Sequence, residues 1–240
     1  MEKLVKGLVN LHVKKIAIFY ANTEFGKGVR DSVVPLLTAK GVNIVSEISV
    51  EVGQMDFTGE LTRAKASGAD TFFFGLQEEE CGRILPQIKA MGLDKLVKIV
   101  GSINLLAADT IRLAKEAADG AQGQVDFSPS GEKVKSLEAK YEKKYKEMGT
   151  HNFYKGYLGT YVVKAVVDEN KSFDQQKFRD YLHNRTLCVK DHPGILMDVR
   201  YHENGDIDRE SFLVKVENQK HVIGSVIPPS RPEFFGICKK

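Results

Sequence analysis

The stretch Ala21-Asn22-Thr23-Glu24-Phe25-Gly26-Lys27-Gly28 is this chain's nearest approach to a phosphate cradle. In such a loop, backbone N–H groups and a lysine hold the phosphates, and a following Ser or Thr hydroxyl binds magnesium. Here Ala21 stands in the place of the first glycine and Gly28 in the place of the hydroxyl. The same residues fail as a dinucleotide fingerprint, because Val29-Arg30-Asp31 follows without a third glycine. They read as glycines easing a tight turn into a helix, and nucleotide binding is excluded.

The remaining reactive residue types are scattered. His12, His151, His183, His192, His202 and His221 form no HExxH pair, and none has ligand spacing with a nearby cysteine. Cys81, Cys188 and Cys238 are a sparse, odd set that defines neither a disulfide framework nor a CxxC site, so the compartment stays open. No GxSxG elbow occurs. Glu78-Glu79-Glu80 opens a helix, where acids complement the dipole, and Asp206 and Asp208 follow a turn without the rest of a calcium loop. The expectation is a protein with no catalytic residue, no metal and no cofactor.

The elements that must position any site alternate from Lys15 onward. Ile16 to Tyr20 is a short apolar run of the kind buried on both faces of a sheet. Val29, Val33, Leu36 and Leu37 then recur at helical spacing, and Gly41 ends the helix. The unit repeats: a strand from Asn43 to Val50, a helix capped by Asp56 and closed at Gly68, then the strand Thr71 to Gly75. A helix from Glu78 to Met91, a strand from Val97 to Val100, a helix from Ala107 to Glu116 and a strand from Gly123 to Phe127 follow. Strands separated by helices need crossover connections, which predicts an α/β fold with a doubly wound parallel sheet.

The rhythm breaks at Ser128-Pro129-Ser130-Gly131. Helices are expected from Glu132 to Met148, Asn152 to Asp168 and Asp174 to His183, then strands at Ile195 to Tyr201, Phe212 to Val216 and His221 to Ile227. Asn204-Gly205 is a preferred tight-turn pair between the first two of these strands, and Pro228, Pro229 and Pro232 read as an exit tail. The expected domains are 1–127 as an α/β lobe, 128–192 as a helical segment, and 193–240 as strands returning to the lobe plus a tail.

In an open parallel sheet, ligands bind outside the carboxyl ends of the strands. The tips here offer Asn22, Thr23 and Phe25, then Gln77, then Ser102 and Asn104, a wall for a small polar molecule with an apolar part. The net charge is only +3 over 240 residues, with basic and acidic residues interleaved, which argues against a nucleic-acid partner. No apolar run is long enough to span a membrane. Leu4, Val5, Leu8 and Leu11 place the N-terminus on an amphipathic helix, not on a signal peptide.

The segment from Lys14 to Gly28 resembles the opening of the second lobe of type I periplasmic binding proteins, specifically the leucine/isoleucine/valine-binding proteins of ABC transporters. Asp56 to Leu61, Thr71 to Gly75, Ile84 to Gly92, Ala114 to Gly120 and Gly194 to Asp206 continue the likeness in the family's order. The resemblance implies a two-lobe clamp, periplasmic or extracellular, that binds a small-molecule ligand and serves an ABC permease. It implies that 128–192 belongs to the first lobe, most of which is expected to be missing here together with its signal. The helices would then carry an unburied apolar face, so the chain is expected to be strained, a homodimer, or completed by another polypeptide.

Amino-acid binders of this family place an aromatic ring in the first tip loop, where Phe25 stands. Their acidic residue on the fourth strand's tip corresponds to Ile103, and their tyrosine on the third tip to Leu76 or Gln77. The ligand therefore stays open between an amino acid and a related acid or amide. A ligand-sensing regulatory domain of the same fold is the alternative, mildly favoured by unpaired cysteines and a missing signal. An enzyme would have to use Glu24 or Glu78 to Glu80.

Overall fold

Three consecutive phenylalanines, Phe72 to Phe74, put both faces of the strand Thr71–Gly75 against apolar neighbours, and it lies in the middle of a sheet, buried throughout. In the computed structural model, which describes residues 2–147 and 149–239, the chain forms two units. The first comprises Met1–Val125 and Phe212–Ser225, the second Asp126–Ser211 and Val226–Lys240.

The first unit begins with α1 (Glu2–Asn10) and then alternates. Its elements are β1 (Lys15–Ala21), α2 (Glu24–Thr38), β2 (Asn43–Val50), α3 (Thr58–Ala66), β3 (Thr71–Gly75), α4 (Glu78–Ala90), β4 (Lys98–Gly101), α5 (Ala108–Ala114) and β5 (Gln122–Val125). β1 pairs in parallel with β2 and β3, β3 with β4, and β4 with β5. Two strands arriving later, β9 (Ser211–Glu217) and β10 (Lys220–Ile227), complete a seven-stranded sheet in the order β10-β9-β5-β4-β3-β1-β2, with β9 antiparallel to β5. The parallel part is the predicted α/β fold.

The period-two alternation of strands sorts the core. Ile16, Ile18, Phe73 and Val100 pack in one cluster with Leu4, Leu8, Val33 and Leu37 from α1 and α2. Phe19, Phe72 and Phe74 form an aromatic group, with ring centroids 4.9 Å apart for Phe19–Phe74 and 5.4 Å for Phe19–Phe72. Each such buried ring stabilises the unit by roughly 1.5–3 kcal/mol. The predicted helix stops Gly41, Gly68 and Gly92 have φ of +76°, +71° and +66°. Asp56 acts one residue further out than expected: its carboxylate accepts from the backbone N–H and the hydroxyl of Thr58, at 2.9 and 2.7 Å, before α3 begins.

The second unit holds α6 (Glu132–Tyr145), α7 (His151–Asn170), α8 (Gln175–Asn184) and the short strands β6 (Thr186–Leu187), β7 (Val199–Tyr201) and β8 (Ile207–Asp208). Its core joins Leu158, Val162 and Val166 of α7 with Phe127, Tyr181, Leu187, Ile195 and Val199. The expected end of α6 at Met148 lies outside the described residues.

The expected return to the large sheet at 193 is corrected. β6, β7 and β8 pair among themselves as a three-stranded sheet, so 193–211 stays with the second unit. Only β9 (Ser211–Glu217) and β10 (Lys220–Ile227) join the large sheet. Asn204-Gly205 does make a turn, with Gly205 at φ +87°, but between β7 and the two-residue β8. The proline-rich tail is not a simple exit segment either. Pro232–Lys239 is a 3-10 helix, and Cys238 is disulfide-bonded to Cys188 with Cα atoms 5.3 Å apart. The sequence separation of 50 hid that pairing, and Cys81 alone is a free, buried thiol. Among the described residues no helix is long and apolar enough to cross a membrane.

Candidate functional site

From β1 the chain crosses one way to β2 and then back past β1 to β3, so the tips of β1 and β3 part at a topological switch point. Register opposes Tyr20 to Gly75 and Phe74 to Gly101, so the residues after each strand emerge at one edge of the first unit. Asn22, Thr23 and Phe25 leave β1, Leu76 and Gln77 leave β3, and Ser102, Ile103 and Asn104 leave β4.

The β1 tip is set by a steric need. A Cβ on Gly26 would lie 2.1 Å from the Ala21 carbonyl oxygen, so only glycine lets α2 start this tightly against the strand. Thr23 caps α2, its hydroxyl accepting from the Gly26 N–H at 3.2 Å. Phe25 is left 42% exposed, as an apolar surface at the tip requires. Asn22 is fixed twice: its N–H donates to the Val50 carbonyl at 2.8 Å, and Nδ2 donates to Glu51 Oε1 at 2.9 Å.

Asn104 joins the other two tips. Its buried Nδ2 donates to the Leu76 carbonyl at 3.1 Å and to Gln77 Oε1 at 3.2 Å. The Thr110 hydroxyl lies 2.7 Å from the Asn104 carbonyl and 3.1 Å from that of Glu78, tying α5 to the start of α4. Ser102 Oγ is buried and finds no hydrogen-bond partner among the described residues. A buried hydroxyl in that state is suited to a polar ligand atom. Leu76 is corrected in part: its side chain is wholly buried, and only its backbone reaches the tip. Ile103 is half-buried and apolar, with no charge to offer.

The β2–α3 loop is a wall the sequence did not reveal. Glu80, 1% exposed on α4, accepts from the Gly53 N–H at 2.9 Å. Gln87 accepts from the Phe57 N–H at 2.8 Å and donates to the Met55 carbonyl at 2.8 Å. The Glu51 N–H donates to Gln54 Oε1 at 3.2 Å. Glu51, and Asn22 through it, therefore sits on a loop pinned by α4. The only advance signal was polar residues on the inner face of that helix. Burial, with Asp109 nearby, pushes the Glu78 carboxyl above its ordinary range.

Other clusters do not compete. Cys188, Asp198 and Cys238 bring possible ligand atoms within 4.8 Å of one another, but the sulfurs are bonded to each other and so do not form a metal centre. Burial pushes the Cys81 thiol up, which makes it a poor nucleophile. His221 is a packing group: burial lowers its pKa, and its Nε2 lies 2.7 Å from the Leu106 carbonyl.

Comparison with known proteins bears on the fold and the family. A family model described as periplasmic binding protein matches residues 1–221. The Leu/Ile/Val-binding protein BraC3 of Rhizobium johnstonii is 26% identical over 219 residues, covering 90% of this chain and 58% of the relative. A leucine-binding protein from Thermotoga maritima superposes with a TM-score of 0.75 at 21% identity, over 94% of this chain and 63% of that one. A solute-binding protein of an ABC transporter from Rhodopseudomonas palustris, in complex with 3,4-dihydroxybenzoic acid, gives a TM-score of 0.78 at 20% identity. It is matched over 95% of this chain and 65% of its own. The chain thus spans less than two thirds of the length of these relatives.

Proposed function

The chain belongs to the periplasmic binding protein family, and on that premise we propose that it binds a small organic solute for delivery to an ABC importer. The supporting observation is the pre-organised edge at the switch point: Asn22 braced on Glu51, Asn104 bridging Leu76 and Gln77, and Ser102 with a hydroxyl to give. These groups are held by the fold before any ligand arrives, which lowers the ordering cost of binding. The ligand leaves unchanged, because binding and release are the whole task.

In this reading residues 1–127 are the second lobe of a two-lobe clamp and 128–192 is a segment that completes the first. The ligand stabilises the closed form to the extent that it touches both lobes. The solute is an amino acid or a related acid or amide, with Phe25 against its apolar part. A place in the periplasm or outside the cell fits the Cys188–Cys238 disulfide, since such bonds persist in oxidising compartments. The same disulfide removes the unpaired-cysteine argument for a ligand sensor.

The test is a thermal-shift and calorimetric screen of amino acids, aromatic acids and amides on the protein. One solute class should raise the melting temperature. If no class does, the proposal fails.

A further inference from the structure

We infer that the Cys188–Cys238 disulfide is a redox latch on the C-terminal tail, and that reduction frees 232–239 while the rest of the second unit stays folded. The tail is held at two places of unequal strength. At its root, the buried Asp208 carboxylate accepts from the N–H groups of Ser230 and Arg231 at 2.7 and 3.0 Å. Charge-assisted bonds out of water are strong, so this end holds without help.

Beyond Arg231 the backbone runs as a 3-10 helix over Pro232–Lys239. Runs of that geometry longer than three or four residues are uncommon because their hydrogen bonds are poorly aligned. Apart from the buried Phe235 ring, the side-chain ties are few. The Thr186 hydroxyl donates to the Phe234 carbonyl at 2.9 Å, the Arg200 guanidinium lies 4.1 Å over the Phe234 ring, and the Lys190 ammonium donates to the Ile237 carbonyl at 2.7 Å. The lysine bond is exposed and screened by water. The sulfur bridge is therefore the one covalent tie on the segment that carries the buried Phe235.

The bridge has an accessible side: Cys188 is 1% exposed, whereas Cys238 is only half-buried. The thiolate of a small dithiol bonds to Cys238 Sγ, and the Cys188 sulfur leaves with the electron pair and takes a proton. The second thiol of the dithiol then displaces Cys238, leaving two protein thiols and one oxidised dithiol.

The experiment compares the oxidised chain, the dithiol-reduced chain and the Cys238→Ser variant by native alkylation and hydrogen exchange. In the oxidised chain no cysteine should react with iodoacetamide. After reduction two should react, and amides of 233–239 should exchange at least tenfold faster. Amides of Ser230, Arg231 and 158–166 should keep their protection in all three. Cys238→Ser should match the reduced chain in exchange, with one reactive cysteine in place of two, and Cys188→Ser provides a second variant if the first does not fold. Unchanged exchange in 233–239, loss of protection across 158–166, or two or more reactive thiols before reduction would each overturn the latch.

Discussion

Arg209 grips Asp126 at two points: Nη2 lies 3.0 Å from Oδ1, and Nη1 donates to the Asp126 carbonyl at 2.7 Å. Lys155 adds a second cation 3.2 Å from Oδ2. Burial pushes the Asp126 carboxyl up, but the charges of Arg209 and Lys155 outweigh it and hold the group below its ordinary range. Asp126 opens the second unit, and Arg209 stands two residues before the chain leaves it at Ser211. The pair fastens two segments of the second unit that are 83 residues apart in the chain.

Removing one partner leaves the other charge buried. Arg209→Met should therefore destabilise the second unit by about 3–5 kcal/mol, read by urea denaturation. Because the folded pKa of Asp126 is depressed, the pair's contribution is fully present above the ordinary carboxylate pKa and is lost as pH falls through the folded value. Wild type should lose stability over that acid range, and Arg209→Met should lose much less. Parallel pH profiles would refute the assignment.

Gly26 and Gly28 make opposite predictions from neighbouring positions. A Cβ on Gly26 meets the Ala21 carbonyl at 2.1 Å, so Gly26→Ala must push α2 off the β1 tip, at a cost of about 3 kcal/mol. A Cβ on Gly28 meets nothing within 4 Å and sits inside α2, so Gly28→Ala should stabilise by roughly 0.5–1 kcal/mol. Denaturant midpoints of the two variants check both signs. A tolerated Gly26→Ala would show that the tip relaxes cheaply.

The sequence spoke clearly where one residue type meets one environment. β1 and β3 are buried on both faces and so read as unbroken apolar runs, and the strand tips follow from their ends. What stayed hidden depends on partners far along the chain. Glu80 looks like an acid serving a helix dipole until Gly53, 27 residues earlier, is found on it. Asp208 looks like a turn residue until the N–H groups of Ser230 and Arg231 arrive. β8 is two residues long and too short for any periodicity, so the sequence points the turn at Gly205 toward the longer strand at Phe212, whereas the structure pairs β7 with β8.

Asn104 and Thr110 should behave as a pair. Asn104→Ala removes both donor bonds to the β3 tip, and Thr110→Val leaves two carbonyls without their hydroxyl. Each should cost about 1–3 kcal/mol, since buried polar groups would be left unmet. The double variant should cost less than the sum, because both act on the same tip. Strict additivity would show that the β3–β4 edge is not one network.

The last prediction concerns the outer face of α7. Leu158, Val162, Ala165 and Val166 are buried in the second unit's core, yet Val163 between them is 47% exposed, and the Tyr157 and Tyr161 rings, 4.8 Å apart, are only half-buried. A helix apolar on more than one side is normally covered on more than one side. The isolated chain should therefore associate, as a homodimer or with a polypeptide that completes it, and Val163→Glu should weaken that association at least tenfold. Size-exclusion chromatography with light scattering over a hundredfold dilution reads both. A wild-type chain that stays monomeric at every concentration would show that this face tolerates water.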